Sequence, residues 1–184
     1  MVLIKMNILN KSVTYLIGSI QNDPNLGCSW RQRFVELVSP IGIKCLDPTN
    51  KPAGLVSEVK EEQEFINSLK KEQRWHDLRD YMKKIWRADL RFCDLCDFAV
   101  WYVDPKIPTW GSTHEATVIL NSSKPLLIIC KGGLGELPQW LFAMARPEEV
   151  FPTIEDCVQY LKDINGGKID ISNDKRWILI RNYI

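Results

Sequence analysis

The sequence predicts a doubly wound α/β domain, a parallel sheet with helices on both faces. Short apolar runs rich in β-formers alternate along the chain with segments whose apolar residues recur every three or four positions. Two of the runs, FAVWYV at Phe98–Val103 and PLLIIC at 125–130, are apolar almost throughout, as central parallel strands covered on both faces must be. The 184 residues, 45% hydrophobic and 26% charged, have room for one such domain and not for two large ones.

The elements follow in order. Residues 13–20 (VTYLIGSI) form a buried strand closed by the turn residues of QNDPNLG. Residues 30–38 place Trp30, Phe34, Leu37 and Val38 on one helical face, and residues 41–46 give a second strand ending at Asp47 and Pro48. Ser57 is a candidate cap for a helix that carries Glu58, Glu61 and Glu62 early and Lys70 and Lys71 late, the charge order the helix dipole favours. A longer helical pattern spans about 75–96, with Leu78, Met82, Ile85, Phe92 and Cys96 in its seam and Asp89 as the one interruption. After the third strand a helix is expected over about 112–121, and after the fourth two more at 137–144 and 154–164. The expected architecture is a single domain over 1–184: a flavodoxin-like sheet of about five strands, a helical insertion at about 55–88 and a C-terminal extension at about 166–184.

Composition narrows the function classes. Lys and Arg total 24 against 23 Asp and Glu, so a net charge of +1 gives no global attraction to a nucleic-acid polymer or an anionic membrane. The longest apolar runs are far short of the ~20 residues that span a bilayer. The first ten residues, interrupted by Lys5, Asn7 and Asn10, lack a secretory pattern, so a cytoplasmic location is expected. Cys93 and Cys96 fall late in a helical pattern, where a redox pair does not belong, and His76 and His114 have no partners at zinc spacing. Cys93 and Cys96 read as two buried small apolar residues at helical spacing, and neither a metal nor a cofactor is expected. The strings for a triphosphate-binding loop, a dinucleotide fold or a nucleophile elbow are missing.

In a doubly wound sheet ligands sit at the carboxyl ends of the strands, which selects residues 18–22, 104–111 and 131–135. Asp89 stands in an apolar seam, so it is either a functional carboxylate or one paired with an arginine such as Arg87 or Arg91. Glu115 lies early in the helix after the third strand, where it is either a nucleophile or the last member of a capping box begun by Ser112; on the residues alone the box is the commoner pattern. Tyr15 in the first strand reads first as core. Trp101 and Trp110 flank the expected pocket and could stack on a planar base, and Gly132, Gly133 and Gly135 read as a turn.

Taken in order, these residues resemble the nucleoside 2-deoxyribosyltransferase superfamily, which includes the 2′-deoxynucleoside 5′-monophosphate N-hydrolases. The resemblance spans about residues 13–144 and consists of Y-x-x-G-S at 15–19, the pair Asp89 and Leu90, Asp97 before the third strand, P-T-W-G-x-x-x-E at 108–115, and Lys124-Pro125 before the fourth strand. It implies glycoside-type chemistry at C1′ of deoxyribose: Glu115 as nucleophile through a covalent deoxyribosyl intermediate, Asp89 as general acid and Tyr15 as the residue that orients Glu115. Gly18, Ser19, Ile20, Asp97, Thr109, Trp110 and Gly111 would contact the substrate. The implied partners are a deoxynucleoside or deoxynucleotide and a free base, and the implied assembly is a homo-oligomer, dimer or higher, in which Gln139 of one subunit would complete the pocket of another.

The chain departs from both branches. Thr109 stands where the transferases resemble one another in an aspartate and the hydrolases in a serine, and Gln21 stands where the hydrolases have an arginine. Base exchange between deoxynucleosides is the first expectation, hydrolysis of a deoxynucleoside 5′-monophosphate the second, and a non-catalytic nucleotide-binding module the third.

Overall fold

The computed structural model describes residues 7–21, 23–51 and 60–177. Five parallel strands, β1 (Val13–Gly18), β2 (Lys44–Leu46), β3 (Phe98–Val103), β4 (Leu126–Cys130) and β5 (Val150–Phe151), form one sheet in the order β2-β1-β3-β4-β5. This is the flavodoxin-like doubly wound order the sequence predicts. The helices are α1 (Cys28–Val38), α2 (Lys60–Lys71), α3 (Trp75–Leu95), α4 (Trp110–Asn121) and α5 (Ile154–Asn165).

The pleat explains why β3 and β4 are apolar throughout. Phe98, Val100, Leu127 and Ile129 face one side, where they meet Phe34 and Val38 of α1 and Val158 and Leu161 of α5. Ala99, Trp101, Leu126 and Ile128 face the other, against Phe92 of α3 and Ala116 and Ile119 of α4. Tyr15 and Ile17 of β1 share this second side. Trp177, the last described residue, is buried against Phe98 with ring centroids 5.4 Å apart, so the extension returns to the core.

Several elements differ from expectation. Residues 39–41 close α1 with a 3-10 turn, so β2 keeps only three residues. The helix expected at 137–144 is a single 3-10 turn, Gln139–Ala143, with a second 3-10 turn, Gly133–Glu136, before the expected range. The cap proposed at Ser57 lies outside the described residues. α3 runs on past residue 88, and Phe92 and Cys93 in its later turns pack in the core against the sheet.

Lys124 closes the carboxyl end of that helix. Its buried ammonium donates to the Cys93 and Asp94 carbonyls, each at 2.7 Å, satisfying two acceptors that the last turn leaves open and complementing the helix dipole. Lys124→Met is expected to lower the unfolding free energy by about 2 kcal/mol, read from urea denaturation, because both carbonyls lose their donor inside the protein.

Candidate active site

The sheet order reverses between β1 and β3, and a crevice opens there at the carboxyl edge. It is a cleft of about 440 Å³. The segment after β1 supplies Gly18, Ser19, Ile20 and Gln21; the segment after β3 and the start of α4 supply Pro108, Thr109, Trp110, Gly111, Ser112, His114 and Glu115; α3 supplies Met82, Ile85, Trp86, Asp89 and Leu90; and Tyr15 lines it from β1.

The β1 side is held by a buried arginine. Arg31 donates through Nε to the Leu16 carbonyl (3.4 Å), through one terminal nitrogen to Gly27 (3.0 Å) and through the other to Gly18 (3.0 Å), with the Asp47 carboxylate 3.7 Å away. Gly18 permits the close approach of this layer: a Cβ there would stand 2.9 Å from the Trp30 ring and 3.3 Å from the Tyr102 carbonyl. Gly27, at φ 66°, supplies the left-handed residue from which α1 starts.

On the opposite side, α4 begins at Trp110 with Thr109 as its N-cap residue, so Ser112 lies inside the helix, where it cannot cap it. The capping box is therefore not formed. Glu115 sits in the second turn rather than at the helix start. Along α3, Ile85 and Trp86 lie three and four residues after Met82 and four and three before Asp89, and the four line the cleft together. The rings of Trp86 and His114 stack across the α3–α4 boundary with centroids 6.3 Å apart, and Trp110 stands 89% exposed at the mouth.

Asp89 is buried, and its carboxylate pairs with the fully buried Lys51 ammonium at 2.8 Å. The arginine partners expected from sequence are not used: Arg91 pairs with Asp94 instead, and Arg87 is exposed. Asp89 and Glu115 flank a common neighbour, Cys93, whose thiol donates weakly to the Glu115 carbonyl (3.9 Å). Burial first, and then the charges of Glu115 and, after Cys96, Asp89, push the Cys93 thiol up, while burial pushes Cys96 up to about 12. Both are neutral thiols near pH 7, unsuited to redox attack.

The cleft thus brings together Tyr15, Gly18, Ser19, Ile20, Asp89, Thr109, Trp110, Gly111 and Glu115. Asp97 lies elsewhere: its carboxylate accepts the Val13 N–H (2.7 Å) while its own N–H donates to the Val13 carbonyl (2.7 Å), tying β1 to β3 at their amino ends. Gln139 is exposed on the 3-10 turn after β4, outside the cleft lining. Trp101 is buried core, not a wall of the cleft. Arg31, Lys51, Trp86 and His114 were not singled out by sequence reasoning. Of these only Trp86 carried a signal, one turn before Asp89 on the same helical face.

The fold and cleft define a doubly wound α/β protein with a crevice at its β1/β3 switch point. Among solved structures the chain is similar to a 2-desoxiribosyltransferase from Leishmania mexicana, with a TM-score of 0.51 and 16% identity over 83% of this chain and 97% of that one. That likeness is one of fold. No protein-family model matches the chain, and no curated protein matches it in sequence.

Proposed function

We propose that this chain cleaves and remakes the N-glycosidic bond of 2′-deoxyribonucleosides, transferring the sugar from one base to another. The observation that carries the reading is the convergence of two carboxylates from adjacent helices, Asp89 and Glu115, with Tyr15 in one cleft at the switch point. Glu115 attacks C1′ as the base departs, forming a deoxyribosyl ester through an oxocarbenium-like transition state, and a second base reverses the step, so the anomeric configuration is retained. Asp89 delivers the proton to the departing base, and Tyr15 orients the Glu115 carboxylate. Trp110 offers the planar base an exposed indole face. The fold shared with a 2-desoxiribosyltransferase supports this reading. Gln139 projects from the surface, as a residue offered to the cleft of a neighbouring subunit in a homo-oligomer must.

A second reading, hydrolysis of a deoxynucleoside 5′-monophosphate, draws on Thr109, which places a neutral hydroxyl residue in the cleft. Against it, Gln21 lines the cleft where a phosphate-binding cation is needed. Chromatography of a panel of deoxynucleosides and their 5′-monophosphates, each with and without a second base, separates the two. A new nucleoside formed only with the second base supports transfer. Base released from the monophosphates regardless of acceptor supports hydrolysis, and no release from any substrate favours a binding module.

Tyr15→Phe keeps the ring that packs edge-on against Phe92, at 5.6 Å between centroids, and removes only the hydroxyl. Turnover is expected to fall about tenfold or somewhat more, the scale of one hydrogen bond to a charged group, with the melting temperature little changed.

A further inference from the structure

We infer that the Trp86 indole, backed by the His114 ring, is the surface on which the leaving and incoming bases stack, and that it makes the cleft prefer purines to pyrimidines. This rests on the glycosidic reading above. Trp86 lines the cleft one helical turn before Asp89, so a base within reach of that carboxyl group is also within reach of the indole. Its neighbours on the α3 wall, Met82, Ile85 and Leu90, present apolar side chains rather than the donors and acceptors that read the edge of a base. Recognition on this wall is by the face of the base.

Packing does not account for a tryptophan at this position. α3 buries Ile85, Ala88, Phe92 and Cys93, whereas Trp86 stays 50% exposed. Of the two indoles that line the cleft it is the more enclosed, since Trp110 is 89% exposed. His114 lies nearly parallel to it, with 26° between the ring planes, and is the chain neighbour of Glu115. The helix that carries the attacking carboxylate thus also sets the plane on which the base rests. Stacking contact grows with ring area, so a fused purine covers more of the indole than a single pyrimidine ring does. A base held by its face keeps that contact as the C1′–N bond breaks, so the interaction lowers KM and leaves kcat unchanged.

Transfer from 2′-deoxyadenosine and from thymidine, measured in wild type, Trp86→Leu, Trp86→Phe and His114→Ala, tests the inference. Trp86→Leu keeps an apolar side chain and loses the aromatic face. It is expected to raise KM about 30-fold for 2′-deoxyadenosine and about fivefold for thymidine, with kcat within about threefold of wild type. Trp86→Phe keeps a smaller face and is expected to recover most of both losses. His114 is a positioning residue, and His114→Ala is expected to show the same KM split at smaller size, about fivefold for 2′-deoxyadenosine. Equal KM rises for the two substrates, losses confined to kcat, or Trp86→Leu performing as well as Trp86→Phe would overturn the inference. Tryptophan emission titrated with free adenine gives a readout that needs no turnover. Wild type is expected to be quenched and Trp86→Phe to lose most of that quenching. Quenching that persists unchanged in Trp86→Phe, or none in wild type, would overturn the inference. Wild type inactive on both deoxynucleosides yet quenched through Trp86 would overturn the glycosidic reading and leave the base-stacking wall in place.

Discussion

Glu115→Ala is expected to lower turnover of the best deoxynucleoside by on the order of 10⁴-fold, because it removes the atom that bonds to C1′ and leaves only binding and proton donation to act. Glu115 is not the cap of α4, since that helix begins at Trp110 and Ser112 lies within it, so the loss expected from a broken capping box does not apply to it. Intact-mass measurement after mixing with a deoxynucleoside should show the wild-type protein carrying one dehydrated 2-deoxyribose, and the variant carrying none. A variant that retains turnover within tenfold would remove Glu115 from the chemistry. A variant that retains affinity for a nucleoside while neither protein turns it over would identify a binding module.

Arg31→Met is expected to give the largest loss of stability. The guanidinium is fully buried and donates to the Leu16, Gly18 and Gly27 carbonyls while it faces Asp47, and its carbon lies 4.7 Å above the Trp30 ring. Methionine fills the volume and satisfies none of those acceptors, and it removes the cation beside Asp47, whose carboxylate keeps its hydrogen bonds from Thr49. Removing one partner from a buried charged network costs about 3–5 kcal/mol, which for a chain of this size lowers the melting temperature by roughly 10 °C. Arg31→Lys should recover little of this, because a single ammonium cannot reach three divergent carbonyls in the place of a planar fork. Substrate affinity should fall as well, since Gly18 and its neighbours line the cleft. A melting temperature within about 2 °C of wild type would mean that the β1–α1 connection is held by other contacts.

The residues that were legible in the sequence share a physical trait: they violate the pattern around them. Asp89 stood out because every other member of its seam was apolar, and the β3 and β4 strands because continuous apolar runs have few other uses in a chain of this composition. Arg31 was invisible because arginine beside Trp30 and Phe34 on a helix is ordinarily a solvated neighbour; only the return of the Gly18 and Gly27 carbonyls over it shows that it is buried. Lys51 was invisible for a related reason. Its partner lies on a distant helix, and nearby Arg87 and Arg91 offered a local pairing that the helix geometry instead turns toward solvent and Asp94. The segment 137–144 has a helical apolar spacing over only two turns, too few residues to fix an α-helix, and it forms a 3-10 turn at Gln139–Ala143. β5, with two residues, is too short to leave a periodic signal. Ser112 and Glu115 show the opposite failure: a pattern that matches a capping box by spacing, with the helix starting three residues earlier than the pattern requires.

The central claim, a covalent deoxyribosyl intermediate on Glu115, is tested most directly by the stereochemistry of transfer. A β-2′-deoxynucleoside incubated with the protein and a second base should give, by NMR of the first product formed, the β-anomer of the new nucleoside, because two successive displacements at C1′ restore the original configuration. The α-anomer as first product would mean a single displacement with no bond to Glu115, and would contradict the account.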